Sequence, residues 1–354
     1  MNKYSTKFFI GIDLGDLENE ICVIDRNGDI MESTSMDNTA SAINTFFDRF
    51  DRAQEVLVAF ETGTHSPWIS QLLQARGFQV LVGNARKLRL IWDTANKNDK
   101  KDAEMLARIA RFDPKLLHPI QHRSRGAHMD LAHLKARDSL VRCRTTLINF
   151  VRGSCKAAGA RLPSCGADAF ARKVTDYIPK ELLAAAVPCL NTIMELTQKI
   201  RQMDRQIEEL CTRSYPETLT LREIAGVGPV TALGYVLTLE DPTRFKKSRD
   251  VGAYLGLTPK RDQSGKTDKA LPISKAGNTY LRRLLVGSAH YILGPFGPDC
   301  DLRRYGTRIA SRGGKVAKRK AVVAVARKLA VLMHHLWKTE TAYNSFYQSY
   351  LKAA

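Results

Sequence analysis

Two apolar runs in the first 61 residues each end on a carboxylate: FFIGID closes on Asp13, and VLVAF is followed directly by Glu61. Short runs of this kind, rich in β-branched and aromatic residues, read as buried strands. An acid left inside one without a cation or several donors would be costly. Asp13 and Glu61 therefore belong at strand ends, and two such strands in one sheet bring their acids to one edge. Further strand signals lie in ENEICVID and GDIMESTSM, which flank the turn Arg26-Asn27-Gly28-Asp29, and in FQVLVGN. Helical patterns fit between them at 39–52, 66–76 and 99–112. A hairpin followed by alternating helices and strands predicts an α/β domain with a mixed sheet.

The helix predicted over 99–112 opens with Asp99 and, three residues on, Asp102, which share one helical face. An ordinary reading makes Asp99 the N-cap and Asp102 a first-turn acid favoured by the helix dipole. A second reading joins them to Asp13 and Glu61 as four hard oxygen ligands for Mg²⁺ or Mn²⁺. Two such ions clamp a phosphodiester between attacking and leaving oxygens. GIDLG also opens the sugar kinase, actin and Hsp70 ATPases. Those proteins need a second half with another Asp-Gly-Gly phosphate loop, and nothing after residue 120 supplies one.

Charge narrows the partner. The 354 residues carry 55 Lys+Arg against 36 Asp+Glu, a formal +19, and between Arg244 and Lys328 there are 21 Lys+Arg against five acids, a local +16. A field concentrated in the last third favours a polyanion, because every phosphate neutralised releases condensed counterions. The alternatives are a solvated basic face kept for solubility or an anionic-membrane surface, the latter disfavoured because no amphipathic helix with interfacial aromatics accompanies the charge. No run approaches the length of a bilayer span and no basic leader precedes an apolar stretch, so the expected address is cytoplasmic. Seven scattered cysteines without a CxxC pair support neither disulfides nor a zinc ribbon. His65, His118, His122, His128 and His133 lack ligand-like spacing, and His334-His335 falls in a terminal helix.

The middle of the chain changes character. Residues 126–158 and 178–213 read as long helices, and in the second Ile193, Leu196, Ile200, Met203, Ile207 and Leu210 repeat at the spacing of a coiled-coil seam. That seam is filled by another chain, by another helix of this one, or by the helix's own domain. LREIAGVGPVTALGYVLTL then reads as a helix, the tight turn at Gly226 and Gly228, and a second helix with Pro229 in its first turn. This looks like a helix-hairpin-helix, whose turn amides and helix N-terminus can hold a DNA phosphate; such a turn also occurs as packing alone. The remainder, from Phe245, reads as helical and basic, with breaks at 294–297 and 313–314. Within it Ser264 and Gly265 fall in a predicted loop among Lys260, Arg261, Lys266, Lys269, Lys275, Arg282 and Arg283. A serine hydroxyl is a weak nucleophile unaided. Surrounding cations can orient a scissile phosphate and offset charge in its transition state.

The order strand-Asp13, strand-Glu61, helix-Asp99-x-x-Asp102 resembles the RNase H-like (RuvC-type) nuclease fold. Followed by the helical spacer, IAGVG, QSG at 263–265 and ISKAGNTYLRRLL at 273–285, it resembles the DEDD-type insertion-sequence transposases over nearly the whole chain. These are relatives of the Piv DNA invertases and are known as bridge-RNA-guided recombinases. The resemblance implies an α/β RuvC-like domain over 1–125, a helical coiled-coil spacer over 126–215, and a mostly α-helical, basic transposase domain over 216–354. It implies Mg²⁺ (or Mn²⁺) on Asp13, Glu61, Asp99 and Asp102, and Ser264, supplied by another subunit, forming a phosphoserine-linked DNA end. Gly226, Gly228, Gly265 and the seven cations around Ser264 would bind nucleic acid. Donor and target DNA, a structured guide RNA and a homo-oligomer, a dimer or a tetramer on DNA, are the implied partners, with action at the bacterial nucleoid and none at a membrane. A RuvC-like nuclease of the junction-resolvase kind, with Ser264 structural, is one rival reading. A noncatalytic nucleic-acid-binding protein is another.

Overall fold

The apolar runs of the first third form the expected strands in a computed structural model that describes residues 6–88, 98–264 and 267–346, with backbone alone for 262–264 and 267–270. The chain divides into two compact units, Met1–Arg123 and Ser124–Ala354. The first holds β1 (Phe8–Asp13), β2 (Glu18–Ile24), β3 (Ile30–Asp37), α1 (Ala40–Phe47), β4 (Val56–Glu61), α2 (Ser66–Ala75), β5 (Gln79–Gly83), α3 (Ala85–Leu88) and α4 (Asp99–Phe112). The strands form one sheet in the order β3-β2-β1-β4-β5. β1, β2 and β3 pair antiparallel, whereas β1 with β4 and β4 with β5 pair parallel, the mixed sheet that a hairpin followed by crossover helices dictates. This architecture is compatible with the expected RNase H-like domain.

Strand alternation decides what each face carries. Ile10, Ile12, Val58 and Phe60 point to a core with Ile43, Phe46 and Phe47 of α1 and Ile69 and Leu73 of α2. Phe9, Leu57 and Ala59 point the other way, to Ala103, Leu106, Ala107 and Ala110 of α4. Each fully buried leucine or isoleucine contributes about 1.5–3 kcal/mol relative to exposure. By the same alternation Asp13 and Glu61 fall on the α4 face, at the ends of the neighbouring strands β1 and β4.

In the second unit follow α5 (Arg125–Ala157), α6 (Phe170–Val174), α7 (Leu183–Arg213), α8 (Glu217–Arg222), α9 (Pro229–Leu239), α10 (Asp250–Tyr254), β6 (Pro259–Ser264), β7 (Thr267–Ile273), α11 (Thr279–Leu293), α12 (Asp301–Ala310) and α13 (Gly314–Thr339). The long helices α5 and α7 pack on each other. Arg137 bonds Asp204 and Arg144 bonds Thr197, partners whose numbers rise on one helix as they fall on the other, which marks an antiparallel pair within one chain.

Two expectations need correction here. The buried seam of α7 runs through Leu190, Ile193, Thr197, Ile200, Ile207 and Cys211, while Leu196, Met203 and Leu210 are only half-buried. Thr197 earns its place by hydrogen bonds, donating to Ile193 O at 2.7 Å and accepting from the buried Arg144 guanidinium at 3.1 Å. The segment after Phe245 is also not all helical, since β6 and β7 form an antiparallel hairpin. Elsewhere among its described residues the segment carries the helices α10 to α13, around a core drawn from α8, α9, α11 and α13. His334 lies in that core, where burial pushes its pKa down; its ring nitrogens lie 2.9 Å from Ser248 Oγ and from Pro242 O. All seven cysteines are free thiols. Among the described residues, no helix is long and apolar enough to cross a membrane.

Candidate carboxylate centre and serine hairpin

Asp13, Asp99 and Asp102 come together with ligand oxygens within 4.8 Å of one another. Two local devices produce the cluster. Asn98, not Asp99, caps α4, its side chain accepting from Lys100 N at 3.1 Å, so the Asp99 carboxylate is spared that duty. Gly11 then lets α4 lie directly on β1: a Cβ built there would sit 1.9 Å from Ala103 O and 2.6 Å from Ala107 N. With no side chain between helix and strand, the first turn of α4 reaches the end of β1.

Glu61 is placed differently from the expectation that four acids would gather. Ile12 pairs with Phe60, so Glu61 ends β4 beside Asp13, but it stands outside the 4.8 Å group. The physical reason is lateral: β4 is one strand spacing, about 4.8 Å, from β1, and α4 packs mainly over β1 and β2. Three neighbouring carboxylates repel one another, and a hard divalent cation is the partner that offsets this best. The donor set, all oxygen and partly exposed, fits Mg²⁺ or Mn²⁺ rather than a thiolate-seeking metal.

A neighbour at the same sheet end escaped the sequence reading. The His65 ring lies 3.1 Å from Asp16 Oδ1 through Nε2, while Trp68 Nε1 donates to Nδ1 at 3.2 Å. An indole N–H can only donate, so Nδ1 accepts and Nε2–H faces Asp16. Both ring nitrogens are thereby committed.

Ser264 is the last residue of β6 and pairs with Thr267, the first of β7. Gly265 and Lys266 lie outside the described residues, as do the side chains of Ser264 and Lys269. The base of the hairpin is tightly built. Gly256 and Gly277 both have positive φ, 68° and 74°, and a Cβ at either would fall 2.2 Å or less from a backbone oxygen. Ser274 N donates to Thr258 O and Lys275 N to Gly256 O, prolonging the pairing.

Arg282 fastens this base and is the clearest correction to the expected phosphate binders. Its guanidinium is buried and donates to Leu255 O at 3.0 Å, Ala276 O at 2.8 Å and Thr279 Oγ1 at 3.1 Å. Its donors hold two loops together and do not face solvent. Arg282→Met should therefore lower stability by about 3 kcal/mol, since buried carbonyls lose charged donors, without changing the salt dependence of nucleic-acid binding. Thermal melts and salt titrations check both. Arg283 next to it is half-exposed, bonded to Asp138 Oδ2 at 2.6 Å and stacked 5.5 Å from the Tyr280 ring. Lys260, Arg261 and Lys275 are exposed.

The glycine turn between α8 and α9 has the expected build. Gly226 takes φ 84° against Tyr291 and Ser288 of α11, and Pro229 is the first residue of α9 after Gly228. Turn and α11 enclose an open depression of about 550 Å³ that Arg222 and Arg283 also line.

Comparison with known proteins decides the family. Residues 10–156 match a model of the IS110-type DEDD transposases, and residues 219–297 match one described as transposase IS116/IS110/IS902 family. The transposase for insertion sequence element IS1111A of Coxiella burnetii is 30% identical over 264 residues, 70% of this chain and 69% of that one. This chain belongs to the IS110 family of DEDD-type transposases. A probable family 20 transposase of Pseudomonas aeruginosa is 26% identical over 84% of this transposase and 88% of its own length. The pilin gene-inverting protein of Moraxella lacunata is 28% identical over 41% of this chain and 45% of its own. The present protein is accordingly a DNA-acting transposase. The first matched segment contains all four acids, and the second contains Ser264, the glycine turn and Arg282.

Proposed function

We propose that this transposase cuts and rejoins DNA through a serine ester, with RuvC-like carboxylates of the 1–125 region holding Mg²⁺ (or Mn²⁺) and Ser264 as nucleophile. The observation that carries the reading is the Asp13, Asp99 and Asp102 cluster, built from residues far apart in sequence. Asp13, Asp99 and Asp102 would hold the ion, with Glu61 reaching in from the neighbouring strand. When bound, the metal supplies positive charge for the phosphoryl oxygens and acidity for a bound hydroxyl.

The serine step balances without a further reactant. The Ser264 Oγ–P bond forms as one sugar O–P bond breaks, and the hydroxyl proton ends on the leaving sugar oxygen. The ester count is unchanged, so the reverse step joins a new strand without ATP. A hydrolase would lose that bond energy. The inversion named for the Moraxella relative is chemistry of this rejoining kind and favours it over a resolvase that only cuts.

The remaining parts follow. The helical pair within 126–215 acts as a spacer that brings copies together, as a dimer or as a tetramer on DNA, so that Ser264 comes from the same chain or a second copy. Gly226, Gly228, Gly265 and the cations Lys260, Arg261, Lys266, Lys269, Lys275 and Arg283 contact backbone phosphates. Sequence choice between donor and target falls to a structured guide RNA, which leaves the protein to read shape and backbone. The site of action is the bacterial cytoplasm, at the nucleoid.

Ser264→Ala tests the proposal. The wild type should yield a protein–DNA adduct that survives denaturing electrophoresis, and Ser264→Ala should lose it together with at least ~10³-fold of strand transfer. Full strand transfer by that variant would remove the nucleophile and leave the nuclease reading. Sequencing RNA that copurifies with the protein tests the guide.

A further inference from the structure

Between Leu302 and Thr339 the chain carries eleven Lys and Arg and no Asp or Glu. Six of them, Arg308, Arg312, Lys315, Lys318, Arg319 and Lys320, fall within thirteen residues, at the corner where α12 ends and α13 begins. All six are exposed. Among the described residues none is in an ion pair, whereas their neighbours Arg303 and Arg304 are spent on Ile292 O, Gly294 O and Asp299.

This arrangement works against the helix it starts. A helix N-terminus is the positive pole of the backbone dipole and favours acids; α4 obeys that rule, with Asn98 as cap and Asp99 and Asp102 in its first turn. In α13 the cap is Gly313, which offers no side chain, and the first turn holds no acid. Lys315 stands three and four residues before Lys318 and Arg319, so like charges face each other on adjacent turns. All three features oppose folding and none adds packing, since the apolar face of α13 (Ala321, Val325, Leu329, Met333) is already buried in the core.

We propose that the α12–α13 corner, from Arg308 to Lys320, is a phosphodiester-binding surface of this transposase, additional to the cations around the serine hairpin. The inference rests on the nucleic-acid part of the function proposed above. It concerns residues outside both family-matched segments, 10–156 and 219–297. A polyanion supplies the charge that the helix terminus lacks and turns the repulsions of Lys315 with Lys318 and Arg319 into shared attractions. An anionic membrane surface is a poorer fit. Binding there needs an apolar face left over for insertion, and at this corner Val316 is the lone exposed large hydrophobic. A small phosphate is also a poorer fit, because the cations spread over two helix ends.

The test uses the full chain and a triple variant, Lys315→Gln, Lys318→Gln, Arg319→Gln, titrated with a labelled duplex DNA of arbitrary sequence and, separately, with a stem-loop RNA. Affinity is measured across a salt series, and melting temperature in the absence of nucleic acid. Three lost phosphate contacts should make the slope of log affinity against log salt shallower by roughly 2 to 3 on duplex DNA, with at least a tenfold loss of affinity at low salt. Melting temperature should stay level or rise. A loss confined to DNA or to RNA identifies which backbone the surface holds. Lys315→Arg with Lys318→Arg keeps the charge and should keep the wild-type slope, which separates charge from misfolding. An unchanged slope on both probes, or no binding of either probe by the wild type, overturns the proposal. Wild-type strand cleavage, measured in parallel, keeps the two readings apart: cleavage with an unmoved slope removes this surface alone, and a moved slope without cleavage removes the recombinase chemistry alone.

Discussion

Asp102→Asn will reduce strand cleavage by at least ~10³-fold while leaving the protein folded and able to hold DNA. The substitution keeps shape and removes one of three charges that converge within 4.8 Å, so it strikes whatever the cluster binds and little else. Its effect on folding should be small, because loss of a favourable first-turn acid is offset by relief of repulsion from Asp13 and Asp99. A melting temperature within about 3 °C of wild type is expected. Metal gives a readout independent of activity. Mg²⁺ bound to the native state alone raises stability by RT ln(1 + [L]/Kd), about 1.4 kcal/mol at ten times Kd, and the melting temperature of the wild type should climb with Mg²⁺ accordingly. Asp102→Asn should abolish that climb. DNA affinity without metal should hold or increase, since one negative charge has left the proposed phosphodiester site. Equal cleavage by variant and wild type, or a Mg²⁺-induced rise that survives the substitution, would show that the three acids are merely a charged sheet edge.

What the sequence made legible, and what it hid, follows from the range of the forces involved. The strands of the first unit could be read because apolar runs such as FFIGID and VLVAF are local signals, and their terminal acids fixed the sheet edge where chemistry could sit. Asp99 and Asp102 were legible for the same reason, one helical face being a property of spacing. Half of the α7 seam is legible, Ile193, Ile200 and Ile207 being buried as read, whereas Thr197 and Cys211 take the places expected of Leu196 and Leu210 because neither looks like a seam residue. Thr197 is buried through Arg144, which comes from 53 positions earlier. The β6–β7 hairpin was hidden because PKRDQS and TDKALPI show no apolar alternation; its pairing is held at the base by Gly256, Gly277 and Arg282. Arg282 and Arg283 are adjacent cations that a sequence cannot tell apart. On α11 they point about 100° apart, one toward the carbonyls of Leu255 and Ala276 and the other toward Asp138. Glu61 read as an equal member of the acidic set, because only the position of α4 over β1 shows which acids it favours.

Gly11→Ala should disable the protein more thoroughly than loss of any single carboxylate, and it adds only one methyl group. Where the obstacle is the end of a flexible side chain, a methyl can be absorbed as that side chain swings away. Here the obstructing atoms are Ala103 O at 1.9 Å and Ala107 N at 2.6 Å, both main chain of α4, so the whole helix must lift. Overpacking of this kind costs about 3 kcal/mol or more, and the helix that lifts carries Asp99 and Asp102 away from Asp13. Cleavage and the Mg²⁺-dependent rise in melting temperature should therefore vanish together, with melting lowered by about 10 °C or the protein recovered insoluble. Two companion variants isolate the cause. Ala103→Gly in the Gly11→Ala background should not restore function, because it removes a side chain when the clash is with a carbonyl oxygen. Gly153→Ala makes the same chemical change inside α5, where a Cβ meets nothing within 4 Å, and should stabilise by about 1 kcal/mol through helix propensity. Opposite signs for one substitution at two glycines is what close approach of α4 to β1 requires. A Gly11→Ala protein that melts and cleaves like wild type would mean that α4 does not rest on the strand bearing Asp13, and the carboxylate centre would lose its frame.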